Sequence, residues 1–432
     1  SSTNNTVTAN GSRVGGLVGQ SNGNISIASA SGTVTTNGSS AGGLVGQSNG
    51  TVFNSEASGD VSIEGDEAGG LIGQSTGDVK NASASGNATA NGSRAGGLVG
   101  QSDGNVTRSS ASGDAAVGED EAGGLIGQSD GAVDTSSASG NATANGSRAG
   151  GLVGQTNGTV SNSEASGDVL AGGDDAGGLL GQSNGAVTNA SASGTVSADG
   201  SRVGGLIGQS DGDVTSSTAN GTVNASGNEA GGLVGQSNAA VKNSSASGDV
   251  SANGNTVGGL LGESNGAVSS STASGDVSAT GPNTGALIGN QSSEKAITDS
   301  AASGDVQVDG NSTGDLVGGA GDSLTLPSVE TVTITDETND DSTLTPGDSA
   351  RVTVETGSGT ISSVTVNLSA YDAGEVTLSN AETDNPSTHT GVITVGPNPT
   401  EGTGQLLTVN VTSGNGNGII RTVESTAVSV DT

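Results

Sequence analysis

Five aspartates, Asp60, Asp114, Asp168, Asp249 and Asp276, fall in one column of a repeated phrase, and a pair of carboxylates is what cleavage of a glycosidic bond requires. The same column carries Asn87, Asn141, Thr195 and Thr222. Neither amides nor hydroxyls can replace a general acid, so the exchange fits a chain corner, where Asp, Asn and Thr serve alike. A second acidic group, Asp336, Glu337, Asp340 and Asp341, offers the oxygen ligands that calcium takes; a solvated acidic loop explains it equally well. The one histidine, His389, falls in the apparent loop "NPSTHTG", and no serine stands in a pattern with it that suggests a triad. Gly-Gly pairs are frequent, but they lack the lysine and the helix of a phosphate loop. With one Phe (Phe53), one Tyr (Tyr371) and no Trp, no aromatic platform for sugars or bases can be assembled, so any glycan contact is polar and shallow. These residues predict a protein that is not an enzyme.

The elements that position them are set by a period. Leu17, Leu44, Leu71, Leu98, Leu125, Leu152, Leu179, Leu206, Leu233, Leu260 and Leu287 are evenly spaced in steps of 27, and Leu316 follows after a step of 29. Eight residues after the leucine comes Ile25, Val52, Val79 and so on to Val268; thirteen after it comes alanine, from Ala30 to Ala273; seventeen after it, Val or Ala. Turn formers such as Asn49-Gly50, Asn157-Gly158 and Ser31-Gly32 separate these positions. Each unit reads as about three short extended segments, and frequent glycine with no 3.6-residue apolar stripe excludes a helical repeat.

One such segment buries nothing alone. Stacked as a parallel β-solenoid, every strand bonds to its equivalent about 4.8 Å away and the columns become ladders. About twelve coils are expected, in a rod of about 58 Å, with a constant coil length because an extra residue would shift every later column. Gly-Gly before each leucine lets backbone approach closely or take positive φ. Three residues after the leucine stands Gln, from Gln20 to Gln236, then Glu263, Asn290 and Gly319. Such amides either bond along the axis or form an outward column without partners.

The formal charge is −34, from 44 acidic and 10 basic residues. That balance repels nucleic acid and anionic membrane and suits a salt-loving host, where screening removes the self-repulsion. No run of residues is apolar enough to insert directly into a membrane. With no cysteine, disulfides and thiolate metal sites are excluded. Asn10, Asn37, Asn91 and Asn145 share one column, each in an Asn-Gly-Ser corner from which an N-linked glycan would project.

From about Leu324 the repeat gives way to alternating segments, among them "VETVTITDE", "ARVTVETG", "SSVTVNLSA", "QLLTVNVTS" and "IRTVESTAVSVDT". Seven short strands predict an antiparallel sandwich. The expected domains are thus a solenoid over 1–322 and a β-sandwich over 323–432. The second resembles Ig-like modules of microbial surface proteins, without the Cys and Trp of antibody domains.

The phrases GGLVGQ, GGLIGQ and GGLLGQ, followed by "GxVxNSxASGDV", resemble the GLUG motif over residues 1 to 319. The late copies, Gly285-Ala286-Leu287-Ile288-Gly289-Asn290 and Gly314-Asp315-Leu316-Val317-Gly318-Gly319, depart from it. The resemblance implies a β-helical, adhesin-like extracellular or cell-surface protein, here of a halophilic archaeon, with no catalytic residue in the motif. Neighbouring cells or their surface glycans are the partners it implies. Thr6 and Val7 already lie part-way through a coil, and an uncovered solenoid end is a template for further strands. Self-association is therefore expected, as a head-to-tail filament in which the Ig-like domain of one copy docks on the first coil of the next. The alternatives are a monomeric adhesin stalk and a viral tail-fibre or polysaccharide-binding β-helix.

Overall fold

The computed structural model describes the backbone of residues 1–291, 295, 297–298, 300–308, 311–313, 317–318, 329–338, 343–356, 361–382, 385–400, 406–413, 418–424 and 429–430. No α-helix occurs among them; the chain is all-β. A typical coil contains the strands Ser40–Gly42, Val45–Ser48, Val52–Phe53, Glu56–Ala57 and Val61–Ile63. Each pairs in parallel with the equivalent segment of the next coil, Val52 with Val79 and Val61 with Ala88 for example. Five parallel sheets result. Three contain eleven strands, and the other two extend beyond the last full coil.

Each coil thus has five strands where about three segments are expected. Two corners account for the difference. One is the bend at Gly43-Leu44, between two strands that read as one. The other lies ten residues after the leucine, where Ile27, Asn54, Asn81, Arg108, Thr135, Asn162, Asn189, Ser216, Asn243 and Ser270 all have φ between 49° and 52°. Five of these ten are asparagine, the residue that most readily accepts that left-handed conformation after glycine.

The interior is an aliphatic spine. Leu44 through Leu287 are wholly buried, Leu17 in the first coil is only half-buried, and Leu316 lies outside the described residues. Each such leucine, taken out of water, contributes roughly 2 kcal/mol. The glycines before it are required by close approach and not by positive φ, which none of them has. A Cβ on Gly151 would stand 2.1 Å from the carbonyl oxygen of Gly178 and 3.0 Å from the Ala165 Cβ.

About eleven full coils are seen among the described residues, against about twelve expected. Of the last copy, Val317 is seen pairing with Ile288 in an isolated parallel bridge. An inserted pair of residues does not disrupt the columns either. Val268 pairs with Ile297 and Val277 with Val306, each two positions beyond the usual step, while Leu261 still pairs with Ile288 at the usual one. The two extra residues fall between the strands Ile288–Gln291 and Ile297–Thr298, and the later columns regain their pairing.

All seven expected C-terminal strands form, from Val329–Asp336 to Gly418–Glu424. Neighbours pair antiparallel, and Glu375–Glu382 joins two groups: its first half bonds to Ile361–Asn367, its second to Asn385–Thr394. Val332, Val352, Val354, Val364, Val366, Val409 and Val411 from both groups form one buried cluster. This antiparallel sheet fits an Ig-like part. Its last long strand adds in parallel to the solenoid, Ala301 facing Gly418 and Ala302 facing Ile419. The expected domain boundary at 322/323 falls outside the described residues.

Candidate functional site

The recurring acidic column is a hydrogen-bonded ladder. Asp60 Oδ1 accepts the backbone N–H of Asn87 at 2.8 Å, Asn87 Oδ1 that of Asp114 at 2.9 Å, and Asp114 Oδ1 that of Asn141 at 2.8 Å. Asn141, Asp168 and Thr195 continue it, and Asp249, Asp276 and Asp305 repeat it further on. Asp and Asn alternate freely because both present the same accepting oxygen. These oxygens satisfy corner amides of the next coil, the corner role that the exchange of Asp, Asn and Thr suggests.

The glutamines bond along the axis. Gln47 Nε2 donates to Gln74 Oε1 at 2.7 Å, Gln74 to Gln101 at 3.1 Å, Gln128 to Gln155 at 3.3 Å and Gln155 to Gln182 at 3.0 Å. Of the two readings of that column, the bonded one holds. Sequence reasoning missed two buried serine columns. Ser48, Ser75 and Ser102 donate to the carbonyl two residues on. Ser55, Ser109 and Ser136 accept the N–H of Ala28, Ala82 and Ser109 one coil back. Their spacing was the available signal; abundant serine elsewhere hid it.

A third missed column is charged. Four residues before the leucine stand Arg13, Ser40, Glu67, Arg94, Glu121, Arg148, Asp175, Arg202 and Glu229 in succession. Arg94 contacts Glu67 at 3.2 Å and Glu121 at 3.4 Å; Arg148 also meets Glu121, and Arg202 Nε reaches Asp175 at 2.6 Å. Burial outweighs these cations, raising the carboxyls of Glu67, Glu121 and Glu229, and pushing Asp175 up to about 6.

A groove of about 770 Å³ follows the Ser-Ala-Ser strip from Ser29 to Ser193, with Glu56 and Glu164 beside it. It runs along the rod and presents hydroxyls without aromatic rings. Asn10, Asn37, Asn91 and Asn145 are all exposed, although Asn91 also donates to Glu64 at 2.8 Å. Asp336 and Glu337 diverge: Asp336 is buried with Oδ1 accepting the Thr338 N–H at 2.7 Å, whereas Glu337 pairs with Arg351 at 2.5 Å near the surface. Asp340 and Asp341 lie outside the described residues, among which no cluster of metal ligands occurs. His389 is not in a loop. It is buried on the strand Asn385–Thr394, opposite Val354, because the alternation of that strand continues through it.

The model of the GLUG motif matches residues 145–170, 199–224 and 226–251, each within the solenoid. The repeats of the solenoid are GLUG motifs. Halomucin of the halophilic archaeon Haloquadratum walsbyi is 46% identical to the GLUG-repeat chain over 121 residues, 25% of this chain. The chain covers 1% of halomucin's length. No solved structure matches the GLUG-repeat chain, and no helix among the described residues is long and apolar enough to cross a membrane.

Proposed function

We propose that this GLUG-repeat protein is a non-enzymatic structural rod of an extracellular cell surface, that of a halophilic archaeon, and that copies assemble head to tail into a filament. The observation that carries the reading is how the polar side chains are used: Asp, Asn, Gln and Ser columns bond the neighbouring coil. A surface built this way has stiffness along its axis and no spare pair of catalytic groups in those columns. Similarity to halomucin and the −34 charge support a saline, extracellular setting.

The two ends of the rod differ. At one end, a strand of the Ig-like domain already bonds to the last coil. At the other, the first strands pair on one side only among the described residues, and Val7, Leu17, Val18 and Ile25 are half-buried where their equivalents are enclosed. In the proposed filament the Ig-like domain of one copy docks on the first coil of the next. Glycans on Asn10, Asn37, Asn91 and Asn145 would line one edge of the rod.

Cryo-imaging in molar salt tests the proposal. End-to-end strings with an axial repeat of one molecule are expected; monodisperse rods at all concentrations would overturn the filament and leave the stalk. The Ser-lined groove favours a second reading, lateral contact with a linear polysaccharide, which retention on immobilised surface glycan would reveal.

A further inference from the structure

The aliphatic columns cannot distinguish one coil from another. Residues 83–101 are identical to residues 137–155, two coils later, and Leu, Val, Ala, Gly and Gln repeat with little change in every coil. A chain of interchangeable coils can pair a strand with the wrong neighbour, looping out one coil or borrowing one from another molecule, without exposing its apolar spine. Something else must select the correct neighbour.

We propose that the column Glu67, Arg94, Glu121, Arg148, Asp175, Arg202, Glu229 is a register lock that makes two coils, and not one, the unit of assembly. Its signs alternate over seven successive coils, between neutral Ser40 and Thr256. The strand pairing places Glu67 beside Arg94 and Arg94 beside Glu121. In the correct stack each arginine lies between acids. If the coil of Glu121 is skipped, Arg94 lands on Arg148, and if that of Arg94 is skipped, Glu67 lands on Glu121, like charge on like at about 4.8 Å. Skipping two coils restores alternation.

Four of the ten basic residues of this acidic chain stand in this one column, counting Arg13. Burial makes the device effective in salt. The side chains of Glu121 and Asp175 are 7% exposed, and those of Arg94, Arg148 and Arg202 are mostly covered. Screening that erases exposed pairs acts weakly on such groups. The neighbouring Asp/Asn column also alternates, but it is exposed and uses only an accepting oxygen common to both residues, so it carries little preference of sign.

Coil deletions in the otherwise intact chain test the lock. Removing residues 95–121 joins Arg94 to Ala122 within an unchanged Arg-Ala-Gly-Gly-Leu phrase and stacks Arg94 on Arg148. Removing residues 95–148 joins Arg94 to Ala149 and stacks Arg94 on Asp175. The shorter protein is expected to melt higher, by several degrees. In the one-coil deletion Arg148→Ser should raise the melting temperature, or restore folding if the deletion abolishes it; in the parent the same substitution should lower it. Equal stability of the two deletions, or the same direction for Arg148→Ser in both backgrounds, would overturn the proposal. Each measurement is made on single rods, so the result stands apart from filament formation.

Discussion

Asp114 caps the backbone of Asn141: its Oδ1 accepts the Asn141 N–H at 2.8 Å from one coil to the next. What the bond needs is an oxygen and not a charge. Asp114→Asn is therefore expected to leave the melting temperature unchanged, while Asp114→Ala costs about 1 kcal/mol. Hydrogen exchange at the Asn141 amide checks this locally, since it accelerates only in the alanine variant.

Ile27 is a β-branched residue at φ 50°, with 72% of its surface exposed. Equivalent corners in later coils carry Asn54 and Asn81 at φ 49°. Ile27→Asn should stabilise the first coil by about 1 kcal/mol, because asparagine accepts the left-handed conformation with less steric cost. Slower amide exchange in coils one and two is the expected readout.

Gly151 and Leu152 are adjacent and fail differently. Leu152→Ala removes wholly buried volume and should cost roughly 2–5 kcal/mol. Gly151→Ala adds one methyl, but its Cβ has backbone 2.1 Å away in the next coil. The small substitution should prove at least as damaging as the large one, by thermal unfolding of both variants.

Asp175 sets a pH dependence. Burial raises its pKa to about 6 in the folded chain, with Arg202 opposing the rise. A raised carboxyl binds its proton more tightly folded than unfolded, so its contribution to stability is present below about pH 4 and is lost as pH rises through about 6. The rod should be more stable at pH 5 than at pH 7. Asp175→Asn should reduce that difference by about 1–2 kcal/mol, leaving the smaller share of Glu67, Glu121 and Glu229.

The sequence announces the solenoid because identical columns must stack, and Leu44 to Leu287 are buried as their spacing requires. Strand number was harder to read. The corner at Asn54 has no glycine, and its conformation shows only in the recurrence of asparagine at that position. A strictly constant coil length is not required, since an insertion between two strands leaves the later columns paired. The charge column escaped notice because alternation of sign has a period of two coils, whereas the apolar columns draw attention to one. His389 was misplaced for a local reason: "NPSTHTG" looks like a loop until its pairing with the strand Ser349–Thr356 supplies the missing neighbours.

Every ladder and column of the rod depends on each coil resting on the one before. With no cysteine in the chain, spin labels can be placed in pairs on the outward column Ser62, Thr143, Ser197 and Ser251, and their distances measured by pulsed electron resonance. From Ser62, separations of about 14, 24 and 34 Å are expected for three, five and seven coils, a constant increment of about 4.8 Å for every coil. Distances that fail to grow in proportion to the number of intervening coils would contradict the stacked rod.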